Sequence, residues 1–224
     1  LKNVKNKISP EERIELNAPI TIAEIEKAIF QMQKGKSPGL DGIPTEFYQE
    51  YWDLIKYLYM DFIYALQMRT SAITKAKNTS VIKLIYKKKG EIFLLDNYRP
   101  ISLINVDIKI LSKALANRLK FTLPKVIHAS QTAVYGRRID HTIHLIRDFI
   151  DLANKEDDTV AFIFLDQEKA FDRVNHNFLF KTMRAFGFGE NFIEWIQLLY
   201  SNASAVLNIN VFLSKPILLK RGIR

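Results

Sequence analysis

The sequence predicts a globular fold that mixes α-helices with β-strands, and three observations carry that reading. Apolar residues recur at helical spacing in several separate segments, as in Ile22, Ile25, Ile29 and Met32. Shorter runs are β-forming: Val160 to Leu165 is continuously apolar, and Ala205, Leu207, Ile209 and Val211 recur at the alternating spacing of a strand. The apolar and charged shares, 48% and 25% of 224 residues, are those of a packed protein rather than a disordered tail.

Composition also excludes several function classes. The chain has no cysteine, so it holds neither disulfides nor thiolate metal sites, which fits an intracellular protein. No apolar run approaches the roughly 20 residues of a membrane span, and no charged-then-apolar leader opens the chain. A net charge of +9 favours a polyanionic partner. Of the four histidines, His141 and His144 stand one helical turn apart but lack a third ligand. The chain starts at Leu1 and stops at Arg224 with no terminating signal, and reads as an excerpt.

Taken in order, residues 1–20 are polar, carry two prolines and read as irregular. Thr21 and Glu24 form a capping box that opens a helix running to about Gln33. Its stop is KGKSPGLDGIP, Lys34 to Pro44, a glycine- and proline-rich loop in which Lys34 and Lys36 would bring charge to phosphates. A long helix follows from about Thr45 to Met68, with Phe47, Tyr51, Leu54, Leu58, Phe62 and Leu66 as its core face; its aromatics, Trp52 included, read as core before base-stacking platforms. Ser80 to Lys87 reads as a strand, Lys87, Lys88, Lys89 and Gly90 as a basic hairpin tip, and Tyr98 to Leu103 leads into a second strand. Asn105 to Phe121 is a helix that buries Leu111, Leu115 and Leu119 and is ended by Pro124. After the loop SQTAVYGRRIDHTI, Asp140 caps a helix that buries Ile143, Ile146, Ile150 and Ala153.

The next stretch concentrates the chemistry. An apolar run bounded by charge reads as a strand buried on both faces, and it ends in Asp166. A carboxylate lifted to the rim of a sheet suits a divalent cation that carries phosphate oxygens; the plainer reading is a strand-ending turn cap. Two helices follow, one around Phe178 to Phe186 that stops at Gly187 and one from Glu190 to Tyr200. Ala205 to Val211 is then a strand, with Asn210-Val211 a poor two-residue turn because a β-branched residue resists positive φ. Ile217 to Lys220 is the last strand.

Several of these stretches together resemble reverse transcriptases of non-LTR retrotransposons. Asp166 with Ala170-Phe171-Asp172 is similar to the family's motif A, Ser37 to Tyr48 to its SPGxDGxxxEFY segment, and Tyr98 to Leu103 to its YRPISL string. Gln131, Gly136, Arg137 and Asp140 match a further element, in which Ala133, Val134 and Arg138 depart from the usual residues. Arg221-Gly222-Ile223-Arg224 looks like the opening of motif B. The resemblance covers about Thr21 to Arg224. It implies an α+β right-hand polymerase: an irregular segment at 1–20, a fingers-like region at 21–155, and a partial palm at 156–224. The rest of the palm, with its Asp-Asp motif, and the thumb are missing.

The same resemblance implies a fragment of an RNA-directed DNA polymerase that copies retrotransposon RNA into DNA by two-metal nucleotidyl transfer. Its partners are an RNA template, a DNA primer and deoxynucleoside triphosphates, its cofactor is Mg²⁺, and its place of action is the nucleus. Asp166 would bind both metal ions, and Phe171 would be the steric gate against a ribose 2′-hydroxyl. Arg99 and Lys88 would grip the triphosphate, and Lys34, Lys36 and Arg137 would meet nucleic acid. Asp157-Asp158 is no substitute for the missing pair. A strand of this length sets it about 20 Å from Asp166, whereas two catalytic metals sit about 4 Å apart. The chain alone is therefore expected not to polymerise. A degenerate nucleic-acid-binding remnant and a non-catalytic interaction module are the alternatives.

Overall fold

The computed structural model describes residues 4, 6–156 and 159–222. Along them the helices are α1 (Pro10–Asn17), α2 (Ile22–Phe30), α3 (Thr45–Glu50), α4 (Trp52–Gln67), α5 (Val106–Val126), α6 (Asp140–Glu156), α7 (His176–Ala185) and α8 (Glu190–Tyr200). The strands are β1 (Thr79–Tyr86), β2 (Tyr98–Leu103), β3 (Ser204–Ile209), β4 (Phe212–Leu213) and β5 (Ile217–Leu218). The expected α+β arrangement is present.

The stretch expected to be irregular holds a helix, α1, at Pro10–Asn17. Ser9 accepts from the Glu12 amide at 3.2 Å while Glu12 accepts from the Ser9 amide at 3.0 Å, and Pro10 supplies a preset first turn, so α1 is fully capped. The second capping box, Thr21 with Glu24, forms as the sequence predicts and opens α2. Arg118 on α5 then ties both helices down. Its Nε and Nη2 donate to the two Glu24 oxygens at 2.5 and 2.8 Å, and its remaining hydrogens reach the carbonyls of Leu16, Ala18 and Pro19. All five guanidinium donors are used, which only arginine can do.

The expected helix from Thr45 to Met68 is broken at Tyr51, whose φ of −102° and ψ of 13° leave the helical region. Its buried face is also different. Tyr48, Trp52, Tyr59, Met60, Ile63 and Leu66 are buried, whereas Phe47, Tyr51, Leu54 and Leu58 are exposed. Both faces are apolar, so periodicity alone could not choose between them, and the break shifts the phase. Nor does Pro124 end α5, which runs on to Val126. A proline in the last turn costs one amide bond, and the carbonyls there find another donor, described below.

One apolar cluster gathers side chains from α1, α2, α4, α5, α7 and α8, including Leu16, Ile25, Ile63, Leu111, Phe192 and Ile193. The expected boundaries at 20/21 and 155/156 therefore do not separate two cores. The sheet crosses the second boundary as well. Its order is β2-β1-β3-β4, with β5 also on β3; β1 runs antiparallel to β2 and parallel to β3. A buried polar seam fixes that parallel register: the Thr79 and Ser204 hydroxyls lie 2.7 Å apart, and Asn78 Nδ2 donates to the carbonyls of Leu199 and Ser201. A one-residue slip would strand these groups without partners.

Three further expectations change. Val160 to Leu165 forms no strand, and Ile163, Phe164 and Leu165 are largely exposed. A strand needs a neighbour to satisfy its amides and carbonyls, and among the described residues none pairs with this run. On α6 only Ala153 is buried, while Ile143 and Ile150 are exposed. The Asn210-Val211 turn does close, pairing Ile209 with Phe212, but it holds Asn210 at φ 48° and Val211 at φ 74°. Val211 thus carries the strain foreseen for a β-branched residue there. Asp157 and Asp158 lie outside the described residues, as do Ile223 and Arg224.

Candidate functional site

The β1–β2 hairpin is held by its own loop. The Lys87 amide donates to the Asn97 carbonyl at 2.8 Å, Lys87 Nζ to the Asp96 carbonyl at 2.6 Å, and the Tyr98 hydroxyl to the Ile92 carbonyl at 2.8 Å. Gly90, at φ 81°, sits where a Cβ would lie 2.6 Å from Asn97 Nδ2, so the tip closes only around glycine. Lys87 is consumed by this loop. Lys88, at φ 56°, and Lys89 project from it exposed. Arg99 stands on β2 opposite Ile85, also exposed. Alternation along β2 puts Arg99 and Ile101 on one face of the strand and Pro100 and Ser102 on the other.

The segment with the candidate carboxylate meets β2 from that second face. Asp166 is exposed, and Phe171 is 70% exposed, so its ring is not part of the core. Residues 169–174 fold into a turn in which the Arg173 amide reaches the Lys169 carbonyl at 3.2 Å and Arg173 pairs with Glu168 at 2.6 Å. The next residue after the gate candidate, Asp172, lines a cleft of about 290 Å³ together with Pro100, Ser102, His176, Tyr200 and Arg221. Pro100 and Ser102 of β2 and Asp172 of the turn thus meet at this cleft, whereas Arg99 lies on the opposite face of β2 and neither Phe171 nor Asp166 lines the cleft. Behind the turn the Gly222 amide donates to the Val174 carbonyl at 2.9 Å, and Asn175 bridges to Arg221.

Lys34 and Lys36 are exposed on the loop between α2 and α3, which is anchored at the start of α5. There Asn105, 2% exposed, accepts from the Asp41 amide and donates to the Lys77 carbonyl, both at 3.3 Å. A Cβ on Gly39 would fall 2.1 Å from Asn105 Oδ1, so the loop can seat itself only with glycine at this point. Beside it Asp107 pairs with Lys77 at 2.6 Å, and its carbonyl accepts from the buried Tyr59 hydroxyl at 2.7 Å. Lys109, which reaches the Ser37 carbonyl, is held below the ordinary lysine range by burial, with Asp41 opposing.

Arg137 is corrected. Its Nη1 donates to the carbonyls of His128 and Gln131 and its Nη2 to those of Pro124 and Ile127, at 2.5 to 2.9 Å. It closes the C-terminal end of α5 past Pro124, as cations at helix C-termini do, and has little left for a phosphate. Among the described residues no group of three His, Asp or Glu side chains could hold a metal ion. Asp166 offers a single carboxylate, so these residues do not by themselves fit a two-ion centre. The anchoring roles of Asn105, His176 and Gly222 were not foreseen from the sequence, where Gly222 stood only in the opening of motif B and Asn105 only at a helix start. The glycines at 39 and 222 were the available signal, because a glycine outside a simple turn marks close backbone approach.

The family described as reverse transcriptase (RNA-dependent DNA polymerase) matches residues 85–223. The chain is 40% identical over 223 residues to the transposon TX1 uncharacterized 149 kDa protein of Xenopus laevis, covering 97% of this chain and 16% of that protein. It is 28% identical over 162 residues to the RNA-directed DNA polymerase from mobile element jockey of Drosophila funebris, covering 70% and 18%. With the Pol polyprotein of type-2 retrotransposable element R2DM of Drosophila melanogaster it shares 24% over 213 residues, covering 91% and 19%. The chain spans less than a fifth of the length of these three curated relatives.

Proposed function

Because this chain belongs to the reverse transcriptase family, we propose that it forms the nucleotide-facing part of an RNA-directed DNA polymerase of a mobile element. The observation that carries the reading is the single family match from 85 to 223, which spans both β2 and the stretch from Asp166 to Asp172, whose Asp172 end meets β2 at one cleft. Fingers at 21–155 and a partial palm at 156–224 belong to the same reading.

The residue roles follow from chemistry. Arg99 presents a planar fork suited to triphosphate oxygens, and Lys88 a mobile point charge from the hairpin tip. Phe171 stands beside the sugar and excludes a 2′-hydroxyl. Lys34 and Lys36 neutralise backbone phosphates of an RNA template or a DNA primer. Reverse transcriptases generally depend on a divalent metal ion. Mg²⁺ is the ion proposed, with Asp166 as one of its ligands and the remaining ligands supplied from outside the described residues. A nuclear place of action completes the proposal; among the described residues no helix is long and apolar enough to cross a membrane.

The test is deoxynucleotide incorporation on an RNA template by the natural polypeptide that carries this chain. Arg99→Ala is expected to raise the KM for nucleotide while melting stays put. Phe171→Val is expected to admit ribonucleotides. Loss of folding in Phe171→Val, with no change in sugar selection, would refute the gate assignment.

A further inference from the structure

We propose that His176 is a positioning residue for the nucleotide site, holding the turn that carries Phe171 against the backbone at Gly222. The inference rests on the role given to Phe171 above. His176 Nε2 lies 2.7 Å from the Gly222 carbonyl oxygen. A carbonyl only accepts, so Nε2 carries the hydrogen, in the neutral ring as in the imidazolium. The ring also packs on Tyr200, with centroids 4.7 Å apart and planes 35° apart. Tyr200 is the last residue of α8, whose Phe192 and Ile193 are fully buried, so the imidazole is seated on a fixed element.

The tie is two-sided. The Gly222 amide donates to the Val174 carbonyl at 2.9 Å, while the Gly222 carbonyl accepts from His176 two residues further on. Gly222 is at φ 89°, and a Cβ there would sit 3.3 Å from both the Cα and the carbonyl oxygen of Asp172. Backbone therefore lies directly on backbone at the residue that follows Phe171. The ring of Phe171 is 70% exposed and has little packing of its own to aim it. Its direction is inherited from the backbone at Asp172, and that backbone is held by Gly222. His176 is the side chain that keeps Gly222 there.

Two substitutions separate the hydrogen bond from the stack. His176→Phe keeps a ring on Tyr200 and loses the donor; His176→Gln returns an N–H donor at similar reach. In the natural polypeptide, His176→Phe is expected to raise the KM for deoxynucleotides and to lower deoxy-over-ribo selection, each by about three- to tenfold, the worth of one hydrogen bond. His176→Gln is expected to restore both, with melting close to wild type in each variant. Unchanged KM and sugar selection in His176→Phe would overturn the inference and leave the functional reading standing. So would equal impairment of both variants together with lowered melting, which marks a merely structural ring. A wild-type polypeptide that incorporates no nucleotide overturns the functional reading and this inference with it.

Discussion

Replacing Arg118 with methionine tests the packing that supports the site. Methionine keeps much of the stem's volume but removes all five donors, leaving the carbonyls of Leu16, Ala18 and Pro19 and the Glu24 carboxylate without them. Breaking a buried ion pair from one side costs about 3–5 kcal/mol. The Arg118 side chain is 9% exposed but that of Glu24 is 31% exposed, so solvent compensates part of the loss and the lower end, about 3 kcal/mol, is expected. The cost depends on pH. Burial pushes the Glu24 carboxyl up, but the Arg118 hydrogen bonds, the Thr21 amide and the arginine charge outweigh it, leaving the carboxyl below its ordinary value. A carboxyl lowered on folding stabilises fully above its unfolded pKa, about 4.3, and that contribution vanishes as pH falls through the lower folded value. The gap between wild type and Arg118→Met is therefore widest near neutrality and narrows in acid. Urea unfolding followed by fluorescence of the buried Trp52 and Trp195 measures it at both pH values. A gap under about 1 kcal/mol at neutral pH, or one equally large in acid, would refute the reasoning.

Other expectations follow from single features. Val211→Gly relieves a β-branched residue at φ 74° that is 90% exposed, and after glycine's own entropy cost it is expected to stabilise the chain by about 1 kcal/mol in the same urea assay; destabilisation would show the turn unstrained. Binding of an RNA–DNA hybrid is expected to weaken steeply with salt, because a chain of net charge +9 with Lys34, Lys36, Lys88 and Lys89 exposed releases counterions from the phosphates it neutralises. A flat salt response would remove the phosphate-binding reading. The 224-residue chain by itself is expected to extend no primer with Mg²⁺ or Mn²⁺, since among the described residues no group of three His, Asp or Glu side chains could hold a metal ion. Template-dependent synthesis that disappears in Asp166→Ala would contradict that.

Much of this molecule could be read from local pattern. The Thr21–Glu24 box, the hairpin of β1 and β2, and helices α7 and α8 stand where spacing and caps predict them, because each signal is short-range and unopposed. Apart from α1, whose local Ser9–Glu12 capping box went unread, the failures are tertiary. Helix α4 is apolar on both sides, and only the break at Tyr51 decides which side meets the core. The run before Asp166 has strong β character, but a strand exists only with a partner. Arg137 has the composition of a phosphate contact, yet the carbonyls left at the end of α5 claim it first. In the site, Asp166, Phe171 and Arg99 were legible as residue types in a pattern. The tie through His176 and Gly222 was not, because it joins residues 46 apart in sequence.

The central claim is that Asp166 serves nucleotidyl transfer in this family member. The most direct measurement is RNA-templated deoxynucleotide incorporation by the natural polypeptide that carries this chain, wild type against Asp166→Ala, with melting recorded for both. Asp166 is exposed and outside the apolar cluster, so the account predicts that the substitution abolishes incorporation and leaves melting unchanged. Incorporation that survives Asp166→Ala in a folded protein would contradict it.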